Sequence, residues 1–252
     1  GAVPDADDTA CAMLALAYLG ELDALRSGAR WLLGLQNRDG GWPTFCQGWG
    51  HLPFDRSSPD ITAHVLRALA AAHRLGQAPD ATQAIHRGFR YLQETQRPDG
   101  SWVPLWFGSQ LTDDHTNPVL GTSRVLMAFW DSGDGKSAAR RAVRFLLDAQ
   151  GPDGAWGPAA GHAPSVEETA LAVTALTRWP GVAGAKEAAD RGSVWLAERV
   201  LDGSWIRPAP IGLYFASLWY SEQLYPIIWT AEALGRTLRR SPAIPGTREH
   251  VQ

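Results

Sequence analysis

The chain has 252 residues, 45% of them hydrophobic and 19% charged, the profile of a folded globular protein and not of a disordered one. Its 23 basic and 26 acidic residues leave a net charge of −3, so no overall positive field exists to hold nucleic acid or an anionic membrane. Two cysteines, Cys11 and Cys46, cannot build a disulfide framework or a four-thiolate zinc site, and no apolar run reaches the ~20 residues of a membrane span.

The first segment carries acids where a secretory signal carries positive charge, which together with the cysteine count predicts a cytoplasmic chain. Asp5, Asp7 and Asp8 then open an inner helix of small residues marked by Thr9-Ala10. Acids at this end suit the positive pole of a helix. From Leu22 to Leu35 apolar residues recur at helical spacing, with Trp31-Leu32 near the end, and predict an outer, amphipathic helix. It runs into Gln36-Asn-Arg-Asp-Gly40-Gly-Trp42. The Asp-Gly pair supplies a left-handed stop, while Gln and Trp can tie the turn to a neighbour. Phe45 and Trp49 follow.

The pattern then repeats. Pro59-Asp60 and Thr62-Ala63 open a second inner helix carrying His64, and an outer helix with Tyr91-Leu92 ends at Gln96-Arg-Pro-Asp-Gly100-Ser-Trp102, followed by Trp106 and Phe107. Asn117-Pro118, Thr122-Ser123, Phe145-Leu146 and Gln150-Gly-Pro-Asp-Gly154-Ala-Trp156 make the third pair. The fourth has Glu167-Glu168, Thr169-Ala170, Trp195-Leu196 and a worn turn, Arg199-Val-Leu-Asp-Gly203-Ser-Trp205. Ile211 to Trp219 reads as a short buried helix with a membrane contact as its alternative, and Thr230-Ala231 marks a fifth inner helix, Pro226 to Arg240, without an outer partner. No segment shows strand alternation. A period of roughly 55 residues holding two helices predicts an all-α fold, an alpha-alpha toroid of inner and outer helices. About five helical hairpins are expected, short of a six-pair ring, in a single domain over 1–252.

In such a ring the equivalent ends of inner helices point to a common centre, so the Asp5, Asp7 and Asp8 cluster and the i, i+4 pair Asp60 and His64 belong to one site. Capping alone would explain one acid but not three. A diphosphate-bound magnesium would need a more distant acid than this cluster holds, and a zinc sphere of Asp8, Cys11 and His64 competes with the use of Cys11 as buried filler. No metal and no cofactor are therefore expected. Clustered aspartates can instead act as a Brønsted acid: neighbouring charges keep one carboxyl protonated and a charged His stabilises the base left behind. A carbocation formed by that proton needs aromatic faces, which Phe45, Trp49, Trp106 and Phe107 can supply.

The Asp-x-Asp-Asp stretch from Asp5 to Asp8, the Gln-x-x-x-Gly-x-Trp turns, Pro59 to His64 and Gly100 to Trp106 together resemble the C-terminal catalytic half of squalene–hopene cyclases and related class II terpene cyclases. The resemblance implies a protonation-initiated isoprenoid cyclase acting on a squalene-like or shorter prenyl chain. It implies Asp7 as proton donor flanked by Asp5 and Asp8, with His64 polarising the acid and Asp60 nearby. It also implies Trp106 and Phe45 as cavity aromatics, and Trp42, Trp102, Trp156 and Trp205 as structural. Family members are longer, so a second helical barrel, absent here, is expected upstream or as a partner subunit, and contact with a membrane surface is expected from a lipid substrate. Two readings from other classes stand beside it: a zinc-dependent protein prenyltransferase β-subunit, which shares the toroid but needs an Asp-x-Cys and a distal His, and a non-catalytic toroid that binds a ligand or partner.

Overall fold

The computed structural model describes residues 4–45, 55–133, 135–213 and 218–240. Inner helices α1 (Ala6–Leu19), α3 (Pro59–Arg74), α5 (Pro118–Ser132), α7 (Val166–Leu176) and α9 (Tyr225–Arg240) alternate with outer helices α2 (Leu22–Leu35), α4 (Thr82–Glu94), α6 (Lys136–Ala149) and α8 (Ala185–Leu201). Each inner helix packs on the next, and each outer helix packs on the inner helix before it, so the chain forms an arc of hairpins, as the repeat predicts. Burial separates the two classes. Every residue of α7 is buried, whereas α6 buries only one stripe of Ala, Val and Leu, the pattern of a helix with one wet face.

The starts of the inner helices are fixed by short polar side chains. Asp5, Asn117 and Ser165 each accept a hydrogen bond from the N–H three residues on, in Asp8, Leu120 and Glu168, which satisfies one orphan donor per helix. Pro59 and Pro118 begin α3 and α5, where a missing N–H costs nothing.

The Gly-Trp turns lock hairpins together, and the two repeating phrases are halves of one device. Trp42, Trp102 and Trp156 are fully buried. Their indole N–H groups donate to the carbonyls of Leu32, Leu92 and Leu146, at 2.7–2.8 Å. Their backbone N–H groups donate to Thr62, Thr122 and Thr169 of the following inner helix. Gln36, Gln96 and Gln150 reach forward to the carbonyls of Ala84, Ala138 and Ala188 in the next outer helix, and Arg87, Arg141 and Arg191 of that helix donate back to the glutamine oxygens. The turn comes so close that a Cβ on Gly40, at φ +93, would lie 2.6 Å from the Arg87 carbonyl oxygen, a place only glycine fits.

The fourth turn departs from the expectation for Trp205. Gly203 keeps its left-handed conformation, but Trp205 is half-buried, and Arg199, in the glutamine's place, stacks on Trp195 at 4.2 Å. The Oγ1 of Thr230, whose counterparts hold the other tryptophans, is buried without a hydrogen bond among the described residues.

One further reading needs correction. The described residues of Ile211 to Trp219 form strands and not a helix: β2 (Ile211–Leu213) pairs antiparallel with β3 (Leu218–Tyr220) and with β1 (Phe107–Gly108), giving a sheet of order β1-β2-β3. Strands of two or three residues are too short to show alternation, which is why the segment reads as continuous apolar. His115 is half-buried and packs edge-on against Trp219 at 5.3 Å. Among the described residues no helix is long and apolar enough to cross a membrane.

Glu167 at the start of α7 is 1% exposed and accepts from the Ala209 N–H at 2.7 Å, fastening the segment that leads into β2. Burial pushes its carboxyl up to about 7, against the opposing Ala209 hydrogen bond and with help from the charge of Glu168. A carboxyl raised above its ordinary 4.5 favours the fold while it is protonated, and that contribution is lost as pH rises from about 4.5 through 7. Glu167→Gln keeps an oxygen for Ala209 and should raise stability at pH 8 by on the order of 1–3 kcal/mol, with little change at pH 4.5. Urea midpoints at the two pH values check this, and an equal shift at both would contradict the burial argument.

Candidate active site

The inner helices start at one end of the arc, and there the sequence-predicted acids gather. Asp7, in the first turn of α1, meets His64 of α3 with Oδ1 and Nδ1 2.6 Å apart; the imidazole side chain is 7% exposed and the carboxylate 24%. Asp5 is spent on capping, at 2.7 Å from the Asp8 N–H, and Asp8 itself is exposed. Of the three acids, Asp7 is thus the one brought to the imidazole. Asp60, one turn before His64, is 3% exposed and accepts from the Ser58 hydroxyl.

The charge of each carboxyl is set by its neighbours. Burial alone would raise Asp7, but the charge and hydrogen bond of His64 and the charge of Arg124 bring it down to about 2. Burial, with the charge of Asp7 and against the Ser58 hydrogen bond, lifts Asp60 to about 6, and burial with the charges of Asp8 and Asp7 also raises Asp5. His64 is lowered by burial and by Arg124 and Arg67, with Asp7 opposing. Asp7 therefore rests as a carboxylate against His64, while the buried carboxyl of Asp60 is pushed toward its protonated form.

Two aromatic segments hang from this acid centre by the backbone. The Ala6 N–H donates to the Thr44 carbonyl at 2.7 Å, which sets Phe45 beside the start of α1. The Leu105 N–H donates to Ser58 Oγ at 3.0 Å, which ties Trp106 to the residue holding Asp60. Phe45 and Trp106 then meet edge to face, 5.8 Å between centroids at 88°. Trp106 is 7% exposed and Phe45 38%, so the pair presents an open aromatic surface next to the acids. Phe107 lies half-buried on β1, paired with Leu213. Trp49 lies outside the described residues.

Three residues not singled out from the sequence also face this centre. Tyr225 and Trp229 stack at 4.4 Å on α9, and Arg124 of α5 sits over Trp229 at 5.3 Å. The charge of Asp7 acts on Tyr225, so this stack belongs to the same interior. The readable signals were an i, i+4 aromatic pair outside any Gly-Trp turn and one cation inside the otherwise buried run Pro118–Phe129. Cys11 is exposed on α1, which corrects its reading as buried filler. Among the described residues no three His, Cys, Asp or Glu side chains converge as a metal set.

An acid–imidazole pair beside aromatic faces is suited to moving a proton onto an apolar substrate and sheltering the cation produced. Residues 2–239 match the family described as the squalene-hopene cyclase C-terminal domain. The squalene–hopene cyclase of Alicyclobacillus acidocaldarius is 33% identical over 92% of this chain and 40% of its own length. The copalyl diphosphate synthase of Streptomyces cyslabdanicus is 34% identical over 89% of this chain and 38% of its own length. The chain thus spans about two fifths of these relatives. Among solved structures, the type II terpene cyclase MstE of Scytonema, in complex with merosterolic acid A, shares the fold with a TM-score of 0.71 at 17% identity, covering 92% of this chain and 72% of that one.

Proposed function

The chain belongs to the squalene–hopene cyclase C-terminal-domain family, and from that premise we propose that it is the acid-bearing part of a class II terpene cyclase. The observation that carries this reading is the Asp7–His64 contact of 2.6 Å beside the Phe45–Trp106 pair. Asp7 would hand its proton to one carbon of a terminal alkene or to an epoxide oxygen. The π electrons form the new C–H bond, or the C–O bond opens, and a carbocation is left on the adjacent carbon. Phe45, Trp106, Phe107 and Trp49 would face that cation and attract it without reacting, each by roughly 0.5–2 kcal/mol. His64, with Asp60 behind it, would stabilise the carboxylate left on Asp7.

The resting carboxylate fits this role once substrate is considered. A hydrocarbon filling the site displaces water, and burial is already the largest influence on Asp7 and acts to raise it. Occupancy therefore drives the shared proton toward Asp7, so the acid forms where an alkene is waiting. The substrate is an isoprenoid, squalene-like or shorter. Such a molecule partitions into bilayers, which supports contact between a cytoplasmic protein and a membrane surface.

The end helices support completion of the ring by further helices, from the same protein or a partner subunit. Cys11, Ala12, Ala15 and Tyr18 lie exposed along α1, and Ile228, Ala231 and Leu238 along α9, with Leu224 just before it. Among the described residues α1 and α9 do not pack on each other as the other inner helices do.

The reading is tested by incubating the protein with squalene, or with a prenyl diphosphate, in D2O. One non-exchangeable deuterium per cyclised product is expected, because the Asp7 proton exchanges with solvent before transfer. Cyclised product without deuterium would rule out initiation by a carboxyl group.

A further inference from the structure

Three hairpins of the arc end in a Gly-Trp turn bound forward by its glutamine and its buried indole. At the fourth turn Arg199 stands in the glutamine's place, Trp205 is half-buried, and the Thr230 hydroxyl is buried without a hydrogen bond among the described residues. The chain still leaves this turn on a fixed path. After a single 3-10 turn (Ser204–Ile206) it runs through Arg207-Pro208-Ala209-Pro210 into β2. The two prolines have no N–H to give, and the Arg207 N–H turns back to the Ser204 carbonyl. The Ala209 N–H donates to Glu167 Oε1 at 2.7 Å and so ties the stretch to an inner helix.

The repeat places Glu167 for this. It stands two residues before Thr169, as Asp7 and Asp60 stand before Thr9 and Thr62, so its carboxyl comes to the same end of the arc as the acid pair. It is 1% exposed, in a helix whose every residue is buried and whose start is capped by Ser165. The acceptor it offers is therefore fixed. What hangs from it is part of the aromatic wall: in β2, Gly212 and Leu213 pair with Gly108 and Phe107 of β1, directly after Trp106. On the other side Gly212 pairs with Trp219, whose indole lies so close that a Cβ on Gly212 would collide with it. Strands this short have little cohesion of their own, so the place of the sheet is set by what holds its ends.

We propose that Glu167 is a positioning residue of the aromatic wall: by holding the Ala209 N–H it serves the segment after the fourth turn as the glutamine clasps serve the others, and through β2 it fixes where Phe107 stands toward the substrate cation. The inference rests on the cyclase reading for its catalytic consequence. It gives Glu167 an effect on which products form and leaves proton transfer from Asp7 untouched.

Three variants test it. Glu167→Gln keeps an acceptor oxygen, Glu167→Leu removes it, and Ala209→Pro removes the donor while leaving Glu167 in place. Amide exchange at Phe107, Gly108 and residues 211–213 should be about tenfold faster in Glu167→Leu and Ala209→Pro, as after the loss of one hydrogen bond. It should be unchanged in Glu167→Gln, with α3 and α5 equally protected in every protein. The double variant Glu167→Leu/Ala209→Pro should exchange no faster than either single one. With squalene as probe, the ratio of the most cyclised product to those released earlier should fall about 2- to 30-fold in the same two single variants, the span of one cation–π contact, and return in Glu167→Gln, while substrate consumption is kept. Equal exchange in all the proteins, a loss in Glu167→Leu that Ala209→Pro does not share, faster exchange that extends to α3 and α5, or faster exchange with an unchanged product ratio overturns the proposal. Exchange needs no turnover, so an Asp7→Asn protein that still cyclised would overturn the cyclase reading alone.

Discussion

Asp7→Asn should lower the rate of cyclisation by a factor on the order of 10²–10⁴, the usual contribution of a positioned general acid. The substitution is close to isosteric and an amide can still hydrogen-bond His64, so the 2.6 Å contact and the helix start persist while the transferable proton is gone. Asp8→Asn, at an exposed position, should keep most activity. Asp5→Asn should keep the cap, because Asn caps helices as well as Asp does. Product yields from the three variants under one condition check the ranking, and near-normal turnover by Asp7→Asn would remove Asp7 from the chemistry. Stability carries an independent sign. The Asp7 carboxyl is depressed to about 2 from 3.8, so its ionised form stabilises the fold above the unfolded value, and that contribution disappears as pH falls through 2. Asp7→Asn should therefore destabilise at neutral pH by on the order of 1–2 kcal/mol, with the deficit closing between about pH 4 and 2.

Trp102→Ala should cost about 3–5 kcal/mol, the range for deleting a fully buried large aromatic. It removes an indole lodged against Phe129 and strips the Leu92 carbonyl of its donor, leaving a polar group unsatisfied in the core. Trp205→Ala, at a half-buried position, should cost about 1 kcal/mol or less, in keeping with substitutions away from the core. Denaturant midpoints compare the two, and equal losses would mean that the fourth turn is as tightly locked as the second.

The contrast between those tryptophans shows what was legible beforehand. The Gly-Trp turns announce themselves because left-handed glycine, buried indole and forward-reaching glutamine recur together, and they led to the correct number of inner and outer helices among the described residues. The threonine phrase was visible as a repeat, but its purpose was not. Only the folded chain shows that each threonine receives the backbone N–H of the preceding tryptophan. The arginines that clasp the glutamines were invisible, since Arg87, Arg141 and Arg191 stand at different distances along the chain from their partners. The acid site was legible in its residues but not in its charge state. Proximity of aspartates suggested that one carboxyl keeps its proton but not which, and only the folded chain shows the imidazole of a helix 57 positions away and the charge of Arg124 from a third helix bringing Asp7 down. Three strands of two or three residues lay below any detectable period.

The clasps also decide where the arc can give way. The turns at Trp42, Trp102 and Trp156 each bind one hairpin to its successor through backbone and side chain together, so those junctions open only by losing a buried indole. The junction to α9 has no glutamine, leaves Thr230 idle and sets its arginine on Trp195. Loosening that last joint breaks no glutamine clasp and frees no fully buried indole of a Gly-Trp turn, and Tyr225 and Trp229 travel with α9. The last joint is therefore the first expected to give under denaturant, with the carboxyl–imidazole couple at the opposite end undisturbed.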